Sequence, residues 1–441
     1  MKKSLNKQTI RYLLDTLREN EFKVYLVGGA VRDAMLKRVP QDVDLLTDAA
    51  PREIIRIFGD QNVKIVGRTF PVCLVNGVEI SSADKASSHF PASDLARRDF
   101  TFNAMACDLQ DKKIIDPFNG RDDLLNGLVR FTEDPEKRIK EDPVRMIRAC
   151  RFLAMIEGTF AASAFEAIRS LADLLDKNTA KERIGHEIIK AMAVRKPSLF
   201  FEALHATGIL KKIFPSLDRC YDLDGGPHHG ETVFEHCMLV GDALPHSMPI
   251  LRLAGFLHDT GKFDAAKIKD GHLTFAGHEK HDQALIRDLE NLRFSVRQIQ
   301  YIKALTRSHM RPLTGESTPK AVRRLLAMLK DYHLEYPDFM RMRIADRKGN
   351  LAKAPYTLSQ IRERLKKLFD EINSKAVFAI NDLEISGTDI IRISGKTAGP
   401  EIGKIKHHLF KKVLDDPDLN TTQNLKQLLA TIDEQSYKGL T

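Results

Sequence analysis

The reading of this chain turns on two stretches, LVGGAVRD (26–33) and, shortly after it, QDVDLLTD (41–48). In the first, a β-type run ends in Gly28-Gly29 and passes into a helix carrying Arg32 and Asp33. Glycines let a backbone come close to a phosphate, and a helix start supplies amide donors beside it. Arg32 adds a guanidinium able to clamp a triphosphate through two parallel hydrogen bonds. In the second stretch, DVDLL (42–46) reads as a strand. Alternation then puts Asp42 and Asp44 on one face, with Cα atoms roughly 6.5–7 Å apart. Two carboxylates at that spacing can hold a pair of magnesium ions for in-line phosphoryl transfer. A bare Asp-x-Asp is more often a solvated strand edge, and the preceding glycine turn is what tips the balance.

Around these motifs the first hundred residues alternate helix and strand signals. Ile10, Leu13, Leu14 and Leu17 share a helical face, FKVYLV (22–27) reads as a strand, and Pro51 stands at a first helical position before REIIRIF. Strand-like runs at 63–66 and 72–80 complete a small α/β head. From about Asp134 the strand signals nearly vanish: 143–156, 164–175 and 182–194 carry apolar residues at three- and four-residue spacing. The turn-rich DLDGGPHHG (222–230) marks a domain boundary, and a second helical block follows it. With 441 residues the chain has room for two to four domains, and 43% hydrophobic against 29% charged residues excludes a mostly disordered protein. Lys plus Arg exceed Asp plus Glu by 69 − 60 = 9, which suits a polyanionic partner. The five cysteines form no Cys-x-x-Cys pair, and no run approaches the ~18 apolar residues of a membrane span. The expected location is cytoplasmic, with no membrane partner.

The two opening motifs, followed by RRDFTFNAMACD (97–108), DPFNGRDDL (116–124), EDPVRMIRACRF (141–152) and ERIGHE (182–187), resemble the bacterial class II tRNA nucleotidyltransferases, the CCA-adding enzymes with bacterial poly(A) polymerase as their relative. The resemblance implies an α+β chain: a polymerase-β-like nucleotidyltransferase head (1–131), a mostly α-helical neck that recognises the base (132–218), an HD domain (219–353) and a tRNA-binding tail (354–441). It makes Asp42 and Asp44 the catalytic, Mg2+-binding pair. Gly28, Gly29, Arg32 and Asp33 become the triphosphate loop, and Arg98, Asp99 and Asn103 hold sugar and triphosphate. Phe102 stands where the family usually has Ile, a change expected to stay in the core. Gln41 replaces a basic residue that often precedes the acidic pair. Glu79 is the one candidate for a third carboxylate, though strand-edge glutamates are common.

In the neck, Asp142 and Arg145 lie three residues apart at a helix start, hence on one face. Cytosine and adenine both present an amino donor beside a ring-nitrogen acceptor. An Asp accepting from the first and an Arg donating to the second would admit CTP and ATP and reject uracil and guanine. Arg183 and Glu187 read as braces for that helix. Further on, FEHCMLV (234–240), LAGFLHDTGK (253–262), FAGHEKHD (275–282), RSHM (307–310) and RIADRKGN (343–350) resemble the HD phosphohydrolases. The implied metal set is His236, His258, Asp259, His278, His309 and Asp346. Imidazole with carboxylate suits a transition metal, with Mg2+ the other option, and two close ions could activate water on a phosphoester. His228, His229, His272 and His281 read as bystanders. The helix bearing Lys404, Lys406, His407, His408, Lys411 and Lys412 resembles the family's tRNA-gripping tail, a charge-driven contact.

The function expected is template-independent addition of CMP, and of AMP, from CTP and ATP to the 3′ end of tRNA. Three alternatives stay open: CC addition alone, suggested by a short 83–96 segment where full CCA-adding members carry a longer loop; poly(A) polymerase; and an HD phosphohydrolase acting on RNA ends or nucleotides. The sequence leaves the oligomeric state open.

Overall fold

In a computed structural model the chain is described over residues 7–40, 42–66, 72–82, 89–111, 113–177 and 179–431. Gln41 and the 83–88 part of the short loop lie outside the described residues. The chain divides into two compact units, 1–212 and 213–441, ahead of the DGGP turn at which the sequence suggests a boundary.

The first unit is organised by a seven-stranded sheet in the order β3-β4-β5-β2-β1-β6-β7. Its strands are β1 (Val24–Val27), β2 (Asp44–Thr47), β3 (Val63–Val66), β4 (Val72–Val75), β5 (Val78–Ser82), β6 (Ala106–Asp108) and β7 (Lys113–Ile115). β2 and β5 run parallel and the other neighbours antiparallel. One face is covered by the helices Lys7–Glu19 and Pro51–Phe58, through Leu13, Leu17 and Ile54 packed on Leu45, Val78 and Ile80. Pro51 opens its helix as expected, its fixed φ preset for a first turn that needs no N–H. The opposite face buries Val27 and Leu46 against Leu95, Ala104 and Ala106.

Two sequence readings change. The 72–80 run is not one strand but a hairpin, folded at Asn76-Gly77, where both residues take positive φ (51° and 83°). Such a pair makes the tight turn that matches strand twist. The strand expected over 42–46 begins only at Asp44. Asp44 pairs with Val27, the last residue of β1 before the chain turns at Gly28, so residues ahead of Asp44 have no partner on the β1 side. Asp42 sits in a bend before the strand.

The remainder of this unit is almost entirely helical. The helix Val144–Ile156 packs between Lys181–Ala191 and Ser198–Ala206, burying Met146, Ile147, Cys150 and Leu153. The second unit is a helical assembly in which Val233–Ala243 lies against both Pro249–Leu257 and Tyr336–Gly349. Small residues permit the close approach: a Cβ on Gly241 would stand 2.4 Å from the Phe256 ring, and one on Gly349 2.6 Å from Val240. A separate core of Ile390, Ile402, Ile405, Leu409, Val413 and Leu425 holds the C-terminal helices together. It leaves His407, Lys411 and Lys412 of the helix Pro400–Asp415 exposed. Among the described residues no helix is long and apolar enough to cross a membrane.

Candidate functional sites

At the head, β1 ends at Val27 and Gly28 adopts φ +68°, a conformation that L side chains rarely take. The missing side chain is as important as the backbone freedom. A Cβ there would stand 2.5 Å from Nη1 of Arg98 and 3.7 Å from Oδ2 of Asp44. The turn, a guanidinium and a carboxylate therefore meet at one point. Arg98 Nε is buried without a hydrogen bond, 3.6 Å from Asp94. Glu79 lies directly across the parallel β2–β5 pair from Asp44, so the two side chains leave the same face of the sheet. Glu79 is exposed and Asp44 half-buried. Carboxylate oxygens beside a side-chain-free turn are the donor set that a hard cation such as Mg2+ prefers.

Arg32 is used differently from the sequence expectation of an open clamp. It is 9% exposed, its Nε and Nη2 donate to Asp33 Oδ1 at 2.9 and 2.7 Å, and its Nη1 donates to Asn103 Oδ1 at 2.7 Å. Arg98 stands over Gly28, and Arg32 lies against Gly29, its Nη2 3.4 Å from where a Cβ there would stand. From Asn103 the network continues inward: its amide donates to Asp99 Oδ1, which also accepts from the Phe100 N–H. Asp99 Oδ2 accepts from Arg148 at 2.8 and 2.5 Å. Arg148 also reaches Glu187 (3.5 Å), whose other oxygen accepts from Arg151 at 2.5 Å. Burial pushes the Asp99 carboxyl up, but the Arg148 charge and the Asn103, Arg148 and Phe100 donors outweigh it and hold it below the usual range. The same competition, burial against Arg151, Arg148 and Lys190, holds Glu187 down.

Three guanidiniums, those of Arg32, Arg148 and Arg151, lie 5.1, 5.5 and 4.1 Å from the centre of the Phe152 ring. The other partners of that ring are Phe100 and Phe102, both fully buried, so the phenylalanine at 102 does stay in the core.

Asp142 and Arg145 do not share a helix face. Asp142 terminates the helix Pro135–Glu141 in an extended conformation, and Pro143 precedes the helix Val144–Ile156, so the motif spans a break. Proline disfavours a helical residue before it, which forces that break. Arg145 turns back to the Arg138 carbonyl and to Glu141, both 2.9 Å away, and reaches the Arg97 carbonyl at 3.2 Å. Asp142 is gripped at both oxygens by Arg183, at 3.0 and 2.7 Å. The residue that the sequence suggests is a brace is the direct partner of the expected base reader.

In the second unit the six residues expected at the HD site converge. His236 comes from Val233–Ala243, His258 caps Pro249–Leu257, His309 caps Val296–Ser308, and Asp346 comes from Tyr336–Gly349. Asp259 is the hub. Its Oδ2 faces His258 and His236 at 3.4 and 3.7 Å, and its Oδ1 faces His278 and His309 at 3.0 and 3.3 Å. Asp346 Oδ1 lies 3.2 Å from His236 Nε2 and 3.9 Å from His258 Nε2. The Nδ1 atoms of His258, His278 and His309 are taken by the carbonyls of Gly255, Phe275 and Thr306. This leaves each Nε2 directed inward, as a metal-ligand imidazole requires. His258 Nε2 is buried without a hydrogen bond, and Asp259 Oδ1, for all its imidazole neighbours, lacks one of good geometry. Those orphaned atoms, with this donor set, fit a transition-metal dication. Burial and the neighbouring imidazoles push His258 down to about 3, whereas Asp346, Glu231 and Asp259 overcome burial and bring His236 up to about 9.

The site holds more than the sequence suggests. His229 and His228, expected to be bystanders, line a cavity of about 580 Å3 together with Asp259, His278, His309 and Asp346. His229 Nδ1 and His236 Nδ1 both sit on Glu231 Oε1, at 2.8 and 3.1 Å. Lys262, the lysine of HDTGK, is buried with its Nζ 2.8 Å from Asp259. His272 and His281 are not among the residues lining this cavity.

Comparison with known proteins gives family matches within residues 24–221. Residues 24–79 and 74–130 match the poly A polymerase head domain, and 159–221 match a probable RNA and SrmB-binding site of polymerase A. The chain is 38% identical over 201 residues to the CC-adding tRNA nucleotidyltransferase of Halalkalibacterium halodurans, covering 45% of this chain and 52% of that one. Identity to poly(A) polymerase I of Haemophilus influenzae is 32% over 231 residues, covering 46% and 51%. The chain thus spans about half the length of these two curated relatives. It spans more of the multifunctional CCA protein of Laribacter hongkongensis, at 32% identity over 330 residues, 69% of this chain and 79% of that one. In fold it is similar to the Bacillus stearothermophilus CCA-adding enzyme solved with CTP (TM-score 0.65, 22% identity, 96% of each chain). It is also similar to the Thermotoga maritima CCA-adding enzyme solved with tRNA (TM-score 0.57, 19% identity, 98% and 97%). With a relative 32% identical and covered over 79% of its length, and a head-domain match from residue 24 to 130, the chain is a member of the bacterial CCA-adding enzyme and poly(A) polymerase family.

Proposed function

We propose that this protein transfers CMP, and AMP after it, from CTP and ATP to the 3′ end of tRNA. The observation that carries the reading is the meeting of Gly28, Arg98 and Asp44 beside Glu79 at the end of β1. In the reaction the terminal ribose oxygen bonds to the α-phosphorus, and pyrophosphate leaves with the electrons of the broken P–O bond. Asp42 and Asp44 would hold Mg2+, which when bound neutralises developing charge on the phosphates. Arg98 lies where it can meet the triphosphate as the substrate passes over Gly28. Asp142, oriented by Arg183, is the base-edge acceptor, and Arg145 the donor. A carboxylate offers about four lone-pair sites, so the bidentate Arg183 still leaves Asp142 capacity for an amino group. The proposed division into head, neck, HD domain and tail has its boundaries at 131, 218 and 353, the neck running past the break between the two compact units at 212. The exposed basic side of the helix Pro400–Asp415 is the proposed tRNA contact.

CC addition alone is the closest competing reading, favoured by the short 83–96 segment and by the CC-adding relative. The test offers tRNAs ending before CCA, after C and after CC, with labelled CTP or ATP. CMP incorporation on the two shorter tRNAs together with AMP incorporation on the CC-ending tRNA supports full CCA addition, arrest after two CMPs supports CC addition, and AMP incorporation on the CC-ending tRNA alone would mark A addition. Long A tails on unrelated RNA would overturn both.

We propose a second, hydrolytic site on the separate observation that His236, His258, Asp259, His278, His309 and Asp346 face one another beside a cavity. These residues would hold a transition metal, which when bound would supply a nucleophilic hydroxide for a phosphoester. The cavity wall carries Lys262, Arg343, Arg347 and Lys353, which suits an anionic substrate.

A further inference from the structure

We infer that Lys262 is the phosphate-anchoring residue of the histidine–aspartate centre, held in reserve on Asp259 until a divalent cation takes that carboxylate. Cation loading and phosphate binding are thereby coupled. The inference rests on the proposed reading of this centre as a metal site and adds a ligand-binding role for a residue outside the metal set.

Lys262 begins the short helix Lys262–Ala265, three residues after Asp259, and is 5% exposed. Its Nζ makes two polar contacts, Asp259 Oδ2 at 2.8 Å and His229 Nε2 at 3.4 Å, and lies 5.3 Å from the centre of the Phe275 ring. Asp259 is the carboxylate on which four of the expected imidazole ligands converge. A dication seated there and an ammonium on the same carboxylate repel each other strongly in a buried site. An oxyanion placed between them removes the conflict, one oxygen facing the cation and another the ammonium. His229 supplies the tether. Glu231 can only accept a hydrogen bond when ionised, so it fixes the proton of His229 on Nδ1 and leaves Nε2 as a lone pair. That lone pair keeps the Lys262 ammonium at the cavity wall when Asp259 no longer does. Of the other cations of the wall, Arg343 donates to the His309 carbonyl at 2.6 Å and lies 3.6 Å from Asp346, Arg347 donates to the Ala354 carbonyl at 2.7 Å, and Lys353 is exposed. Lys262 is thus the buried cation at the metal end of the cavity, and phosphate is the ligand chemistry it fits.

The test is calorimetric titration of inorganic phosphate into the full-length protein, metal-free and loaded with Mn2+, with bound Mn2+ measured by atomic emission. Wild-type protein is expected to bind phosphate at least about tenfold more tightly when loaded. Lys262→Met keeps its Mn2+ and loses that gain, and Lys262→Arg keeps both to within about threefold. Equal phosphate affinity in loaded wild type and loaded Lys262→Met overturns the inference. So does equal affinity in loaded and metal-free wild type, and so does a Lys262→Met variant that melts like wild type yet has lost its Mn2+. A wild-type protein that takes up no Mn2+ overturns the metal reading, and the inference with it.

Discussion

Replacing Glu187 by Gln removes one negative charge from a site where two arginines depend on it. The Glu187 side chain is 6% exposed, that of Arg151 12% and that of Arg148 29%. Arg148 keeps its two bonds to Asp99, so its loss is small. Arg151 keeps the Phe152 ring and at most a neutral bond to the new amide oxygen, and becomes a buried cation without its carboxylate. Breaking a buried pair from one side costs about 3–5 kcal/mol, and with one arginine spared the lower end, about 3 kcal/mol, is expected. For a unit of this size that corresponds to a melting shift of about 6–12 °C. The pH dependence has a definite sign. Glu187 is held below its ordinary value, so its stabilisation is complete above the unfolded carboxyl value of about 4.3 and fades as the pH falls through the lower folded value. The gap between wild type and Glu187→Gln should stay constant from pH 7 to 5 and narrow in more acidic solution. Differential scanning calorimetry across that range is the assay. A melting shift below about 2 °C at pH 7, or a gap that widens on acidification, would refute the reasoning.

Other outcomes follow from the same geometry. Gly28→Ala forces a side chain into the space beside Arg98 Nη1 and keeps a positive φ. CTP incorporation should fall at least about a hundredfold, while overall stability drops by only about 1–2 kcal/mol, measured by primer extension and urea unfolding. Arg183→Ala frees the Asp142 carboxylate to rotate, so the preference for CTP over UTP, read as a ratio of kcat/KM values, should drop about tenfold with tRNA affinity unchanged. His258→Ala removes a buried ligand atom at the hub, so the bound Mn2+ found by atomic emission should decrease, while CMP addition by the head persists.

What was legible in the chain, and what was not, follows the range of the interactions. The glycine turn, Pro51 and the amphipathic helices are local signals and lie where the sequence puts them. The start of β2 was misplaced because it depends on where β1 ends, not on residues 42–46 themselves. β6 and β7, three residues each, carry too little pattern to be read; β6 exists because β1 offers an edge to pair with, and β7 because β6 does. Asn76-Gly77 is a turn signal masked by the apolar run on either side of it. At the sites, the order of His and Asp residues was legible, but their convergence needed three helices brought close by Gly241, Gly255 and Gly349. Arg183 and Asp142 are 41 positions apart, and nothing in either motif announces the other. His229 carries no ligand signal of its own in the sequence, because its role comes from the contact with Glu231 two residues on.

The central claim is that Asp44, beside the glycine turn, supports nucleotidyl transfer at the head. The direct measurement is the single-turnover rate of labelled CMP addition to a tRNA lacking its 3′ CCA, for wild type and for Asp44→Asn, in saturating Mg2+. Loss of a metal-holding carboxylate should slow addition by about a thousandfold or more, while tRNA binding stays intact. An Asp44→Asn protein that adds CMP within about tenfold of the wild-type rate would contradict the claim.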